Sequence, residues 1–317
     1  MTRGKRTHAP DLEIRLLREG ITESTHYVTA VVCDSRGRQL SAAGNAQNST
    51  FIRSSLKPFQ ALAVTSTGTL ERFGLNDKDL AIICSSHHGT IEQARQVFRI
   101  LWRCDIEPSA LQCPIPGEGK TRLQHNCSGK HAGMLAVCRQ RGWPLETYLR
   151  RSHPVQQLIV SKVGELLGMP GDEFIRARDD CGAPTYAMRL EQMATLYARL
   201  ASGNNLDLER IVRAMVYNPV SVAGEGGFDT ELMQLSGGEL VSKSGAEGIQ
   251  CIGRIGEGMG LAIKVLDGAK RAKYAAAIQI LRQLGWLDPS KAEALAEKFM
   301  NQGECKRLEA VGELPFL

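Results

Sequence analysis

RSSLKPFQAL, residues 53–62, lies between a polar stretch and a long apolar-periodic run, and two readings of it compete. Apolar residues at Leu56, Phe59, Leu62, Ala63 and Leu70 predict a helix that starts close to Ser54, with Pro58 in the first turn, where proline is tolerated. In the plain reading Ser54 caps that helix and Lys57 is an ordinary helical lysine. In the other, Ser54-x-x-Lys57 sets a hydroxyl one turn before an amine, so that the lysine can take the proton of a serine nucleophile. For that the lysine must be neutral, which requires burial or a neighbouring positive charge.

Outward from this stretch the elements differ on the two sides. DLEIRLLRE, THYVTAVVCD, the turn SRGR and QLSAAG alternate like a strand meander before it. Behind it, IEQARQVFRILWRC, SGKHAGMLAVCRQRG, PVQQLIVSKVGELLG and AMRLEQMATLYARLAS predict helices. GELVSKSGAEGIQCIGRIG and MGLAIKVLDG read as strands joined by a Gly-Glu-Gly turn, and RAKYAAAIQILRQLG and PSKAEALAEKFMN are helical. Strands at both ends and helices between predict an α/β (α+β) fold, an antiparallel or mixed sheet built from the two chain ends and covered by helices. We expect one compact domain over residues 1–317, with the middle helices, about 90–235, available as a distinct lobe.

The 317 residues carry a net charge of +5, with lysines and arginines scattered, which disfavours a nucleic-acid partner. MTRGKRTHAPDLEIRL has no following apolar stretch of signal-peptide length, and no segment approaches the roughly 20 apolar residues of a membrane span. Nine cysteines without a Cys-x-x-Cys argue against a disulfide framework. A cytoplasmic protein with no membrane partner is the expectation.

Four other segments are richer in reactive residues than a core or a plain surface requires. SKSGAEG places Lys243-Ser244-Gly245 on a predicted strand; serine β-lactamases and penicillin-binding proteins pair SxxK with such a Lys-Thr/Ser-Gly strand. CSSHHGT offers Ser86 as a second hydroxyl with His87 beside it, or a serine-rich cap for the helix near Ile91. HNCSGKHAG holds Cys127 and Lys130 one turn apart, and DDCGAP adds Cys181 after two aspartates. Two thiolates with a nitrogen or water suit zinc, but the spacing alone is no zinc signature and favours the reading of buried cysteines.

Taken in order, RSSLKPFQA, SSHHG, HNCSGKHAGML, DDCGAPTYA and KSGAEGI, with ITESTHYVTAVVCDSRG and GLAIKVLDG, resemble the rhizobial-type (thermolabile, class 3) L-asparaginase family over nearly the whole chain. The resemblance implies a fold related to serine β-lactamases and glutaminases, and a homodimer. It implies Ser54 and Lys57 as nucleophile and base, Ser86 as second catalytic serine with Lys243 as partner, and a zinc ion held by Cys127, Lys130 and Cys181. Arg53, His87, His131 and Asp179 fall in these motifs as substrate or supporting groups. The chain departs from the family in having Thr90 where an acidic residue often follows the second motif, and Lys264 is the alternative to Lys243.

The implied activity is hydrolysis of L-asparagine to L-aspartate and ammonia through an acyl-enzyme, with glutamine as a rival substrate. SxxK and KSG alone also allow a β-lactamase or penicillin-binding-like acyltransferase. The cysteines alone allow a non-enzymatic, zinc-dependent amino-acid-binding protein.

Overall fold

The computed structural model describes residues 9–315; Met1–His8, part of the N-terminal stretch read as lacking a signal peptide, lie outside the described residues. The main sheet comes from the two chain ends, as expected. Its N-terminal strands are β1 (Leu12–Arg18), the 14-residue β2 (Ile21–Asp34) and β3 (Gln39–Ala43). A small second sheet takes β4 (Ser49–Phe51), β5 (Ile175–Arg178) and β6 (Pro184–Arg189). The C-terminal part adds β7 (Leu240–Ser244), β8 (Ile249–Arg254), β9 (Met259–Val265) and β10 (Lys306–Val311). The order in the main sheet is β10-β1-β2-β9-β8-β7, with β3 on the far half of β2, and every pairing is antiparallel.

Alternation along the strands splits the apolar residues between two cores. Val28, Ala30 and Val32 of β2, with Leu261, Ile263 and Val265 of β9, face the helices Lys270–Gln283 and Pro289–Phe299. Val31, Cys33 and Ala262 face the other way, into the core of the middle helices. The sheet is thus covered on both faces, which its nearly unbroken apolar strands require.

RSSLKPFQAL enters this second core. Its helix is not continuous: a 3₁₀ turn, Arg53–Leu56, runs into two short α segments, Lys57–Gln60 and Leu62–Thr65. The N-cap is Ile52, without a side-chain cap bond, so Ser54 does not cap the helix as the plain reading had it. Of the two serines, buried Ser55 has the structural task. Its Oγ donates to the Lys243 carbonyl at 2.9 Å, and its own carbonyl accepts from Tyr197 Oη at 2.8 Å, tying the turn to β7. That leaves Ser54 facing a cavity.

The middle helices pack closely enough to demand glycine. Helix Ser128–Arg141 crosses Asp77–Ile83 at Gly129, where a Cβ would lie 2.0 Å from the Ile82 carbonyl oxygen. Among the described residues, no helix is long and apolar enough to cross a membrane.

Candidate active site

The loop after helix Asp77–Ile83 carries Ser85 to Gly89. Thr90, not a serine, caps the following helix Ile91–Arg103 by accepting the Gln93 N–H at 3.2 Å, so the serines of SSHHG are free of that duty. Ser86 Oγ instead lies between two lysines: Lys57 Nζ is at 3.0 Å and Lys243 Nζ at 2.9 Å. Lys57 also donates to the carbonyls of Ser85 at 2.5 Å and Asn126 at 3.4 Å. Among the described residues its bonds go to these groups and not to Ser54, although the Lys57 N–H donates to the Ser54 carbonyl and a 3₁₀ turn stacks residues i and i+3 on one face.

Lys243 reaches Ser86 by strand alternation. Val241, two residues before it, belongs to the core of the middle helices, and Lys243 shares that face of β7. It is fully buried, and burial pushes its amine down to about 7, partly countered by the Asp229 carboxylate 4.0 Å away. Lys264 is elsewhere: its Nζ donates to the Glu247 carbonyl at 2.5 Å, and it lines a separate cavity with Thr29 and Leu266. Between the two lysines, it is Lys243 that meets Ser86.

Asp229, missed in the sequence, holds the strand that carries Lys243. Its carboxylate accepts from Ser242 Oγ at 2.7 Å, Ser244 N–H at 2.8 Å and Gln250 Nε2 at 2.9 Å. Burial would raise its pKa, but Lys243 and these donors outweigh it and leave the carboxyl below its ordinary range. Ser54, Ser86, His87, Asn126, Asp229, Lys243 and Lys273 all border one cavity of about 500 Å³. GGFDTEL carries no motif that singles out Asp229. Lys273 left a faint signal, since it shares a helical face with Ala277 and Leu281, both buried.

His87 is buried, and burial pushes its imidazole down to about 3, so it is neutral. Nδ1 accepts the Gly89 N–H at 3.1 Å, so the proton sits on Nε2 and is donated to Ser128 Oγ at 2.8 Å. Gly89 has φ +73°, and a Cβ there would lie 2.3 Å from the Gln124 carbonyl oxygen. His87 therefore fixes this loop against the start of helix Ser128–Arg141.

The remaining motif residues gather around Cys181. Lys130 Nζ donates to Cys181 Sγ at 3.1 Å, and both are buried with Cys127. A hydrogen bond from Cys127 and then the Lys130 charge hold the Cys181 thiol down at about 5 against the opposing effect of burial. Arg53, at φ +52°, bonds Asp179 through Nε at 2.8 Å and Asp180 through Nη2 at 2.5 Å. Burial raises the Asp179 carboxyl, but Lys130 and Arg53 outweigh it and keep it ionised. His131 is buried with Nδ1 2.6 Å from Tyr148 Oη, and its Nε2 has no partner among the described residues. Among the described residues no three His, Cys, Asp or Glu side chains form a metal-like cluster. A metal here would rest on two sulfurs and the lysine nitrogen. A nitrogen and a sulfur on one tetrahedral zinc are about 3.5 Å apart, close to the Lys130–Cys181 separation, so the donor set fits once Lys130 gives up its proton.

No curated protein matches the chain. Among solved structures it is similar to Mglu in its tris and glutamate form, with 13% identity and a TM-score of 0.44 over 82% of this chain and 59% of that one. A second Mglu structure gives 14% identity and a TM-score of 0.41 over 82% and 67%. This chain thus spans about three fifths of the length of the first Mglu chain. The sequence family described as L-asparaginase II matches residues 14–316. That span takes in every motif from β1 to the KSG strand and bears out the resemblance, and the chain belongs to the L-asparaginase II family.

Proposed function

We propose that the chain is an amidohydrolase that converts L-asparagine and water to L-aspartate and ammonia through a serine-linked acyl-enzyme. One observation carries this reading: Ser86 Oγ bridges Lys57 and Lys243 at the wall of the cavity that Ser54 also faces. Lys57–Ser86–Lys243 is a proton relay that starts from the neutral form of Lys243. Neutral Lys243 takes the Ser86 proton and Ser86 takes one from Lys57, which leaves Lys57 neutral. Ser54 then bonds to the side-chain amide carbon as its proton goes to Lys57. The tetrahedral intermediate collapses with loss of the C–N bond, and the relay returns a proton to the departing ammonia. Water attacks the ester in the same way and frees Ser54.

Ser54 is preferred as nucleophile because Ser86 is already committed: its backbone N–H donates to the Val222 carbonyl at 2.8 Å and cannot serve an oxyanion. The rival, Ser86 as nucleophile, is favoured by the direct contact of both lysines with its hydroxyl. Rapid-quench mass spectrometry of the aspartyl-enzyme separates them. We expect the adduct on the peptide containing Ser54 and its loss in Ser54→Ala, whereas an adduct that persists in Ser54→Ala sinks the assignment.

Zinc held by Cys127, Lys130 and Cys181 belongs to the same proposal; its charge would favour neutral Lys130 and brace the wall behind Arg53 and Asp179. Metal analysis of the purified protein and of Cys181→Ser tests this, with about one zinc per chain expected in the first and little in the second. The homodimer remains part of the proposal, with sedimentation velocity as its measurement. Parallel ammonia assays with asparagine and glutamine, and a chromogenic cephalosporin, distinguish the amidohydrolase from the acyltransferase. Affinity without ammonia release would favour the amino-acid-binding protein.

A further inference from the structure

We propose that Lys273 is the group that recognises the substrate's α-carboxylate; this rests on the amidohydrolase reading of the same cavity. Lys273 lies in the first turn of helix Lys270–Gln283 and borders the cavity with Ser54, Ser86 and Lys243. Only 3% of it is exposed. Its ammonium donates to two neutral carbonyls, Gly245 at 2.7 Å and Ile249 at 3.2 Å, and sits 5.2 Å from the Tyr274 ring centre. Three N–H donors and two carbonyl acceptors leave one donor over.

A buried ammonium is normally matched by a carboxylate. No salt bridge to Lys273 is found among the described residues, and the nearby Asp229 carboxylate is taken up by Ser242, Ser244 and Gln250 beside Lys243. Burial leaves Lys273 at about 8, largely protonated at neutral pH and stabilised by any anion brought to it. Lys270, one turn before it and also bordering the cavity, adds to the attraction for an anion, against the Glu247 carboxylate in the same lining. The α-carboxylate of an amino acid is the one anionic group that asparagine, glutamine and their products share. A cation on this wall would orient the side-chain amide toward the serines.

The test compares L-asparagine with L-asparagine amide, in which the carboxylate is a neutral carboxamide. The wild type should prefer L-asparagine in kcat/KM by about 30-fold or more, the scale for truncating one partner of a buried charge pair. Lys273→Met should abolish that preference, mainly through KM for L-asparagine, whatever the common fall in turnover of both compounds; Lys273→Arg should restore part of it. An undiminished preference in Lys273→Met overturns the proposal. If the wild type hydrolyses neither compound, the amidohydrolase reading fails. Calorimetric binding of L-aspartate then still decides: weakened binding in Lys273→Met supports the carboxylate site and equal binding overturns it. Should Lys273→Met not fold, reductive methylation of the wild type with and without L-aspartate replaces it: protection of Lys273 supports the proposal, and equal labelling overturns it.

Discussion

At the scale of single residues, the site is a problem in keeping lysines where lysines are costly. Lys57 and Lys243 are buried 2.9 to 3.0 Å from one hydroxyl, and Lys273 is buried in the same wall. Desolvation, with the Lys57 and Lys273 charges, disfavours the Lys243 ammonium more than Asp229 supports it. With Lys243 at about 7, ammonia release should rise with pH through an acid limb near 7, since protonated Lys243 cannot start the relay. Asp229 supports the protonated form, so Asp229→Asn should move that limb to lower pH even where the maximal rate falls. A pH profile of kcat/KM for both proteins checks the sign, and an unmoved limb removes Asp229 from the tuning.

At the scale of elements, close packing rather than helix propensity sets the position of Ser86. The loop that carries it leaves helix Asp77–Ile83, and that helix can approach Ser128–Arg141 only because residue 129 has no Cβ. Gly129→Ala should cost about 3 kcal/mol, at the upper end of overpacking effects because the clash is with backbone. Urea unfolding measures it. The same contact links the Ser86 loop to Lys130, so the variant should lose activity beyond what its unfolded fraction explains. The broken helix at Arg53–Thr65 is the element the sequence described least well: apolar periodicity was visible, but not the 3₁₀ start, which is tied down by Ser55 bonding β7, 188 residues away.

At the scale of the molecule, both cores share one sheet, and a single cooperative urea transition is expected. Its midpoint should rise with pH from about 5 to about 8. His87 is held near 3, Cys181 near 5, Lys243 near 7 and Lys273 near 8, all below their ordinary values, so across this range the unfolded chain binds more protons than the folded one. Above pH 9 the trend should reverse. Cys33, Cys84, Cys104, Cys113, Cys138 and Cys251 are pushed up to about 12 by burial and would ionise only on unfolding. Urea midpoints at unit pH steps test both limbs, and a flat profile would contradict the burial assigned to these groups.

The sequence by itself determined the strands at both ends, most of the helices and the identity of the reactive segments, because these depend on local periodicity and on residue types that neither a core nor a plain surface needs. It could not show the edge strand β10 or the small second sheet, whose pairing is between distant segments. Nor could it place Lys243 rather than Lys264 against Ser86, or notice Asp229. Those placements were made by tertiary structure alone: whether a lysine is a base or a surface charge is set by burial and by which oxygen lies 3 Å away, and for Lys243 that oxygen belongs to Ser86, 157 residues away.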